Sequence, residues 1–193
     1  VSIMFPLISH ILELRQAKMI MRDVIEDLEE EGIEVRADVP VGMMVEVPSA
    51  ALQCQKFAKE VDFFSIGTND LIQYTLAVDR ANERVAPLFS AANPAVLRLI
   101  KEVIRAGEQN DVGVSLCGEM ASQPEYALLL LGLGLRTFSV APPAIPQIKQ
   151  LVRLMTVAHA QQVAARIEDL DNDKQILSYL RDQVRQVLPE PYD

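Results

Sequence analysis

Several features that would assign this chain to a specialised class are absent from its sequence. No apolar run reaches the roughly 18 residues that a membrane-spanning helix needs, so no such segment is predicted. The opening residues lack a basic lead and run into a charged segment, which predicts that there is no signal peptide. Only two cysteines occur, Cys54 and Cys117, which excludes a disulfide framework and fits a reducing cytosol. The two histidines, His10 and His159, are too far apart for a metal-ligand spacing to join them.

Positive charge is also scarce. The 18 lysines and arginines face 27 aspartates and glutamates, and the formal net charge is −9. A nucleic-acid partner or an anionic membrane surface is therefore not expected. A small anionic substrate could still bind where a metal ion or an arginine supplies local positive charge.

What the sequence does contain is a regular alternation of strand and helix patterns. Its 193 residues are half apolar, enough for one domain with a sizeable core. Short apolar runs predict strands at 3–6, 41–48, 63–66, 112–117 and 137–140. Longer periodic stretches predict helices near 9–32, 49–60, 71–78, 93–110, 122–131, 144–154, 156–167 and 173–187, followed by a proline-containing tail over 189–192.

Local signals predict where several helices begin. Asn93 before Pro94 is a strong N-cap and first-turn pair. Ser122 and Glu125 have capping-box spacing. The other expected capping residues are Ser9, Ser49 and Thr156.

This alternation predicts an α/β class with a parallel sheet. About five βα units are present, whereas a closed eight-fold barrel usually takes roughly 250 residues. The first residue is not Met, and the first residues already form a strand. The simplest interpretation is therefore the later part of a (β/α)8 TIM-type barrel, one partial domain over 1–193 with a helical end from about 156. The alternative is a complete doubly wound domain, but no glycine-rich phosphate fingerprint supports it.

Polar residues follow three successive predicted strands: Glu46, then Asn69 with Asp70, then Cys117 with Glu119. Parallel neighbouring strands would bring all of them to one face. Glu46 is expected inside an apolar strand, where it needs a cation or hydrogen bonds to offset desolvation. Glu46 and Asp70 could bind Mg²⁺. The alternative is a salt-bridged core glutamate and a capping aspartate.

Arg80 and the two cysteines have alternative roles. Arg80 could fold back over the strand ends and bind a phosphate or carboxylate, or it could be a surface residue paired with Asp79 or Glu83. Cys117 could be a buried small residue or a reactive thiol. Because a free thiol is largely protonated at neutral pH, an exposed one could donate a proton as a general acid. Cys54 shares a helix face with small apolar residues and is expected in the core.

The stretch 62–71 (DFFSIGTNDL), with Gln73 and Arg80, resembles the signature of the phosphoenolpyruvate (PEP)-utilising enzymes. Segments 3–6 (IMFP), 44–48 (MVEVP) and 116–120 (LCGEM) match other blocks of the same barrel. The sequence YTLAVDR at 74–80 and the Gly-Glu-Met-Ala after Cys117 are most similar to the Enzyme I group of the bacterial phosphotransferase system. A pyruvate phosphate dikinase or PEP synthase fragment is the alternative within the family.

The resemblance implies a role for each matching position. Glu46 and Asp70 match Mg²⁺ ligands, with Mn²⁺ as another candidate ion. Asn69, Asp70 and Arg80 match contacts to PEP, chiefly to its phosphate. Cys117 matches the acid that protonates enolpyruvate to pyruvate.

The implied reaction moves the phosphoryl group of PEP to a histidine, which passes it to the carrier HPr in sugar uptake. Neither His10 nor His159 matches that histidine. The domain that carries it, the HPr-binding domain and the early barrel strands do not match any part of this sequence. The resemblance therefore implies a cytoplasmic, dimeric enzyme of which this chain is a C-terminal fragment, inactive towards HPr alone. A different class of function, a non-catalytic dimerisation or scaffold module, is the remaining alternative.

Overall fold

The computed structural model describes residues 1–188, so the tail predicted over 189–192 lies outside the described residues. Its centre is a five-stranded sheet in which every neighbouring pair is parallel. The strands are β1 (Ile3–Phe5), β2 (Val41–Val45), β3 (Phe63–Gly67), β4 (Gly113–Cys117) and β5 (Thr137–Phe138). The helices are α1 (Ile11–Glu30), α2 (Pro48–Leu52), α3 (Cys54–Phe57), α4 (Thr68–Leu76), α5 (Pro94–Asn110), α6 (Pro124–Gly132), α7 (Ile145–Leu154), α8 (Val157–Ile167) and α9 (Asp173–Val187).

The order of the strands distinguishes the two predicted architectures. It is β1-β2-β3-β4-β5, so each crossover moves one position in the same direction. A doubly wound sheet reverses its order at a switch point, whereas a barrel does not. The α/β class and the partial barrel are therefore confirmed. Among residues 1–188 no helix is both long and apolar enough to cross a membrane.

Several boundaries differ from the prediction. β2 ends at Val45, so Glu46 follows the strand rather than standing inside it. α4 begins at Thr68 rather than near Leu71, directly after β3. The single helix expected over 49–60 is two short helices that meet at Gln53.

Two capping predictions are confirmed and three are wrong. Asn93 and Thr156 each accept a backbone N–H of the first helical turn. The cap of α1 is His10 rather than Ser9, because the Glu13 carboxylate accepts the N–H of His10 and completes a capping box there. The other two predicted caps make contacts outside their helices: Ser49 Oγ donates to the carbonyl of Ser9, and Ser122 Oγ accepts the N–H of Ala141.

The core lies between the sheet and the helices. Cys54 is buried, as predicted, and its burial raises the pKa of the thiol. Lys18 of α1 donates a hydrogen bond from its ammonium group to the carbonyl of Glu60. At the other end, α6 packs closely on α8 because Gly132 lies against the carbonyl of Ala160.

Candidate active site at the carboxyl ends of the strands

The carboxylate of Glu46 lies just past the end of β2, almost completely buried. Its side chain is 4% exposed, and its Oε1 accepts the N–H of Leu7 at 2.8 Å. Leu7 follows β1 and has a left-handed backbone conformation, with φ 52°. Such a conformation is unfavourable for a branched side chain and persists only where the surrounding structure holds it. The turn after β1 is thus shaped to bring a backbone donor to this carboxylate.

Asp70 lies in the first turn of α4, and its side chain meets that of Glu46. Burial raises the pKa of Glu46, the N–H of Leu7 opposes this rise, and the neighbouring carboxyl group of Asp70 adds to it. Two carboxylates this close repel each other unless they share a proton or a cation. The two predicted ligands therefore converge at one end of the sheet.

Gly67 makes the close approach around Glu46 sterically feasible. A Cβ at this position would lie 2.7 Å from Glu46 Oε2 and 2.9 Å from Met44 Sδ. Real Cβ atoms do not approach other atoms so closely, so a larger residue would displace the carboxylate. The sequence showed Gly67 only as an interruption of an apolar run.

Contacts between the ends of the neighbouring strands β3 and β4 fix the positions of Asn69 and Cys117. Thr68 is fully buried, and its hydroxyl donates to the carbonyl of Cys117 at 2.9 Å. Gly118 has φ 97° and lies against Thr68 Oγ1, with Asn69 Oδ1 3.2 Å from where a Cβ would stand. Asn69 Oδ1 also accepts the N–H of Glu119 at 3.4 Å. Asn69 and Cys117 are thereby held side by side.

The thiol of Cys117 is half-buried at the end of β4. Its Sγ lies 3.7 Å from the hydroxyl of Ser65 and 3.5 Å from the carbonyl of Ile66. A cavity of about 550 Å³ opens beside it, and the lining includes Asn69, Gly118, Glu119, Ser122, Gln123 and Ser139. The sequence analysis did not predict Ser122, Gln123 or Ser139 as residues of the site. Ser139 could have been found, because it directly follows β5.

Arg80 reaches back to the same end of the sheet. Its Nη1 lies 3.5 Å from Glu119 Oε1, while Gln73 Oε1 accepts its backbone N–H at 3.4 Å. Within residues 1–188, its guanidinium makes no ion pair with Asp79 or Glu83, the partners expected of a surface arginine. Both Arg80 and Glu119 are largely exposed, at 49% and 74%, so the pair is weak and the guanidinium is free to bind an anion.

The capacity of the site for a metal ion is limited to one pair of acidic residues. In the described part of the chain no group of three or more His, Cys, Asp or Glu side chains is placed to hold a metal. Mg²⁺ is usually held by one or two carboxylates together with substrate phosphates and water. Glu46 and Asp70 fit that pattern because their mutual repulsion favours a shared cation. His10 caps α1 and His159 lies on α8, so neither belongs to this group.

A partial barrel whose polar side chains collect where its strands end has the layout of a barrel enzyme. Residues 1–157 match the family described as PEP-utilising enzyme, PEP-binding domain. The chain belongs to this family.

Curated relatives have the name phosphoenolpyruvate-protein phosphotransferase. The chain is 44% identical over 180 residues to that of Priestia megaterium, covering 93% of this chain and 31% of the relative. It is 42% identical over 184 residues to that of Enterococcus faecalis, covering 95% and 32% respectively. The chain thus spans about a third of the length of these relatives. A solved structure of a citrate lyase from Burkholderia xenovorans LB400 superposes with a TM-score of 0.55 at 18% identity, covering 98% of this chain and 65% of that one, a likeness of fold alone.

Proposed function

We propose that this chain is the PEP-binding part of an Enzyme I-type phosphoenolpyruvate–protein phosphotransferase. The observation that carries the proposal is that the buried carboxylate of Glu46 and the half-buried one of Asp70 lie together at the strand ends. The name of the curated relatives favours this function over a dikinase or synthase. The chain would work in the cytoplasm, in sugar uptake, as part of a homodimer.

In this proposal Glu46 and Asp70 hold Mg²⁺, or alternatively Mn²⁺. The ion offsets negative charge on the transferred phosphoryl group. Glu46 is kept in place by the N–H of Leu7 and by the lack of a side chain at Gly67. The Glu46 carboxylate is therefore preorganised, and a cation held by Glu46 and Asp70 would relieve their repulsion.

Arg80 and Asn69 bind the phosphate of PEP. The guanidinium of Arg80 exchanges its exposed partner Glu119 for a phosphate, to which it can donate two parallel hydrogen bonds. Asn69 lies in the first turn of α4, where the amide donates and the helix N-terminus favours an anion.

Cys117 donates the proton that completes the reaction. When the phosphorus–oxygen bond of PEP breaks, the electron pair stays on enolpyruvate, whose methylene carbon takes the proton of Sγ to give pyruvate. The thiolate then regains a proton from water. The cavity beside Cys117 leaves room for the three-carbon unit.

The histidine that accepts the phosphoryl group is proposed to lie outside this chain. His10 accepts the N–H of Leu12 within a helix cap, and His159 lies on α8. The relatives are about three times as long as this chain. HPr would be reached only through regions that this chain does not contain.

Thermal unfolding with Mg²⁺ and PEP tests the binding proposal. A ligand at about 100 times its Kd stabilises the folded state by about 2.7 kcal/mol, which raises the midpoint by roughly 5–10 °C for a chain of this size. Asp70→Asn should abolish the rise. The matched control is Asp23→Asn, an exposed aspartate of α1, which should retain it.

A midpoint that ignores both ligands would contradict the proposal and favour a dimerisation or scaffold module. An equal response of Asp70→Asn and Asp23→Asn would show that binding occurs elsewhere.

A further inference from the structure

A second cavity lies on the outer side of the helical layer and shares no lining residue with the cavity beside Cys117. It has a volume of about 410 Å³ and lies between α5, α6, α8 and the start of α9. Ligand-binding clefts usually measure roughly 300–1,000 Å³. We call it the α5 groove.

The α5 groove has an apolar base and partly apolar walls. Leu97, Leu129 and Ile176 form the base but are almost completely buried, so they offer little accessible surface. Leu133 and Leu170 lie in its walls and are partly buried. Such a surface can gain free energy by covering an apolar group.

One rim of the groove is cationic. Arg98, Lys101 and Arg105 line it from one face of α5, at helical spacings of three and four residues. Lys101 is paired with Glu168. Within residues 1–188 neither arginine has a carboxylate oxygen within 4.0 Å.

The lining carries a small excess of positive charge. Three cations face two carboxylates, Glu102 and Glu168, in a chain of net charge −9. An ordinary solvated helix face explains free arginines but not the partly exposed leucines, Leu133 and Leu170, beside them. The two features together match an anion with an apolar body.

We propose that the α5 groove binds a small organic oxyanion, a carboxylate or a phosphate ester, whose apolar body covers Leu133 and Leu170. The oxyanion sits between Arg98 and Arg105, each of which can donate a pair of hydrogen bonds. Glu102 lies between them along the helix and weakens the site by repulsion. The site is separate from the strand-end residues, so both can be occupied together.

Phenyl phosphate is a suitable probe for a phosphate ester, and hexanoate tests whether the groove binds a carboxylate instead. Methyl NMR of the metal-free chain should show shifts at Leu133, Leu170 and Ile176. Val140, which lines the cavity beside Cys117 (the strand-end cavity), should be unchanged. Inorganic phosphate and phenol, the two halves of the probe, should each bind at least about tenfold more weakly, because each satisfies only one feature of the groove.

Charge variants give effects of opposite sign. Arg98→Gln and Arg105→Gln should each weaken phenyl phosphate about fivefold to tenfold, as expected for a lost hydrogen bond to a charged group. Glu102→Gln should tighten it a few-fold, because one repulsive charge is removed. Arg153→Gln, an exposed arginine of α7 outside the groove, is the matched control and should change nothing.

The proposal is overturned by shifts at Val140 instead of the groove methyls, since the probe would then occupy the strand-end cavity. It is also overturned if Arg153→Gln weakens binding as much as Arg98→Gln, or if Glu102→Gln fails to tighten it. The first result would mean attraction to surface charge in general, and the second would mean that the probe does not lie beside Glu102.

Discussion

The surroundings of Glu46 and Asp70 favour one ionised carboxylate over two. Burial and the neighbouring carboxylate raise the pKa of Glu46, so the folded state holds its proton more tightly than the unfolded state does. Stability of the metal-free chain therefore falls as pH rises from the ordinary glutamate pKa towards the raised value. The pair of carboxyl groups proposed to hold a cation is thus a source of instability when no cation is bound.

Asp70→Asn should relieve this instability. At neutral pH the metal-free variant should unfold roughly 2–4 °C above the parent, equivalent to about 1 kcal/mol, because one repulsive charge is gone. The difference should shrink as pH falls below the raised pKa of Glu46, because a neutral Glu46 no longer repels its neighbour. Thermal scans across pH without metal measure it. A variant less stable than the parent at neutral pH would show that Asp70 has a structural role instead.

Gly67→Ala tests the steric requirement beside Glu46. The new methyl group would lie 2.7 Å from Glu46 Oε2, so the carboxylate must move. We expect a loss of about 1–3 kcal/mol in the free energy of unfolding and a weaker response to Mg²⁺. Gly113→Ala is the matched control, because a Cβ at Gly113 meets no atom within 4 Å. Urea unfolding of both variants checks this, and equal losses would refute it.

The starts of the helices show what the sequence could and could not predict. Asn93 and Thr156 were predicted correctly because a cap and its N–H partner are two or three residues apart. Ser49 and Ser122 have the same chemistry, but their partners are Ser9 and Ala141, which only the folded chain brings near. Capping signals are reliable only where no tertiary partner competes.

Ser122→Ala distinguishes these two roles. The variant should lose about 1 kcal/mol, and faster hydrogen exchange should appear at the N–H of Ala141 rather than in the first turn of α6. Asn93→Ala, which removes a true cap, should speed exchange at the N–H of Ala95. Exchange monitored by NMR separates them. Faster exchange in α6 after Ser122→Ala would restore the capping-box interpretation.

The site itself was predictable to a similar degree. Glu46, Asn69, Asp70 and Cys117 could be placed at one end of the sheet because parallel strands end on the same side. The bond from Leu7 to Glu46 and the packing of Gly67 depend on contacts between different strands. The sequence pattern shows which residues reach the strand ends, and tertiary contacts set their distances.

β1 and β5 are the two edge strands of the sheet, and each pairs with only one other strand within residues 1–188. The chain spans about a third of its relatives' length. A unidirectional strand order places successive βα units around an axis, so further strands at either edge would extend the same curve. At the strand ends Asn69, Asp70 and Cys117 are partly exposed and Arg80 is exposed, so these residues can meet groups supplied from outside this chain.

Binding and phosphoryl transfer should therefore be separable. Incubated with labelled PEP and Mg²⁺, the chain should stay unlabelled, because His10 is committed to a helix cap and His159 lies on α8. The full-length Priestia megaterium relative provides the positive control. Acid-labile label on the chain would mean that one of its own histidines accepts the phosphoryl group. His10→Gln and His159→Gln would then identify it, and the proposal of an external acceptor would be wrong.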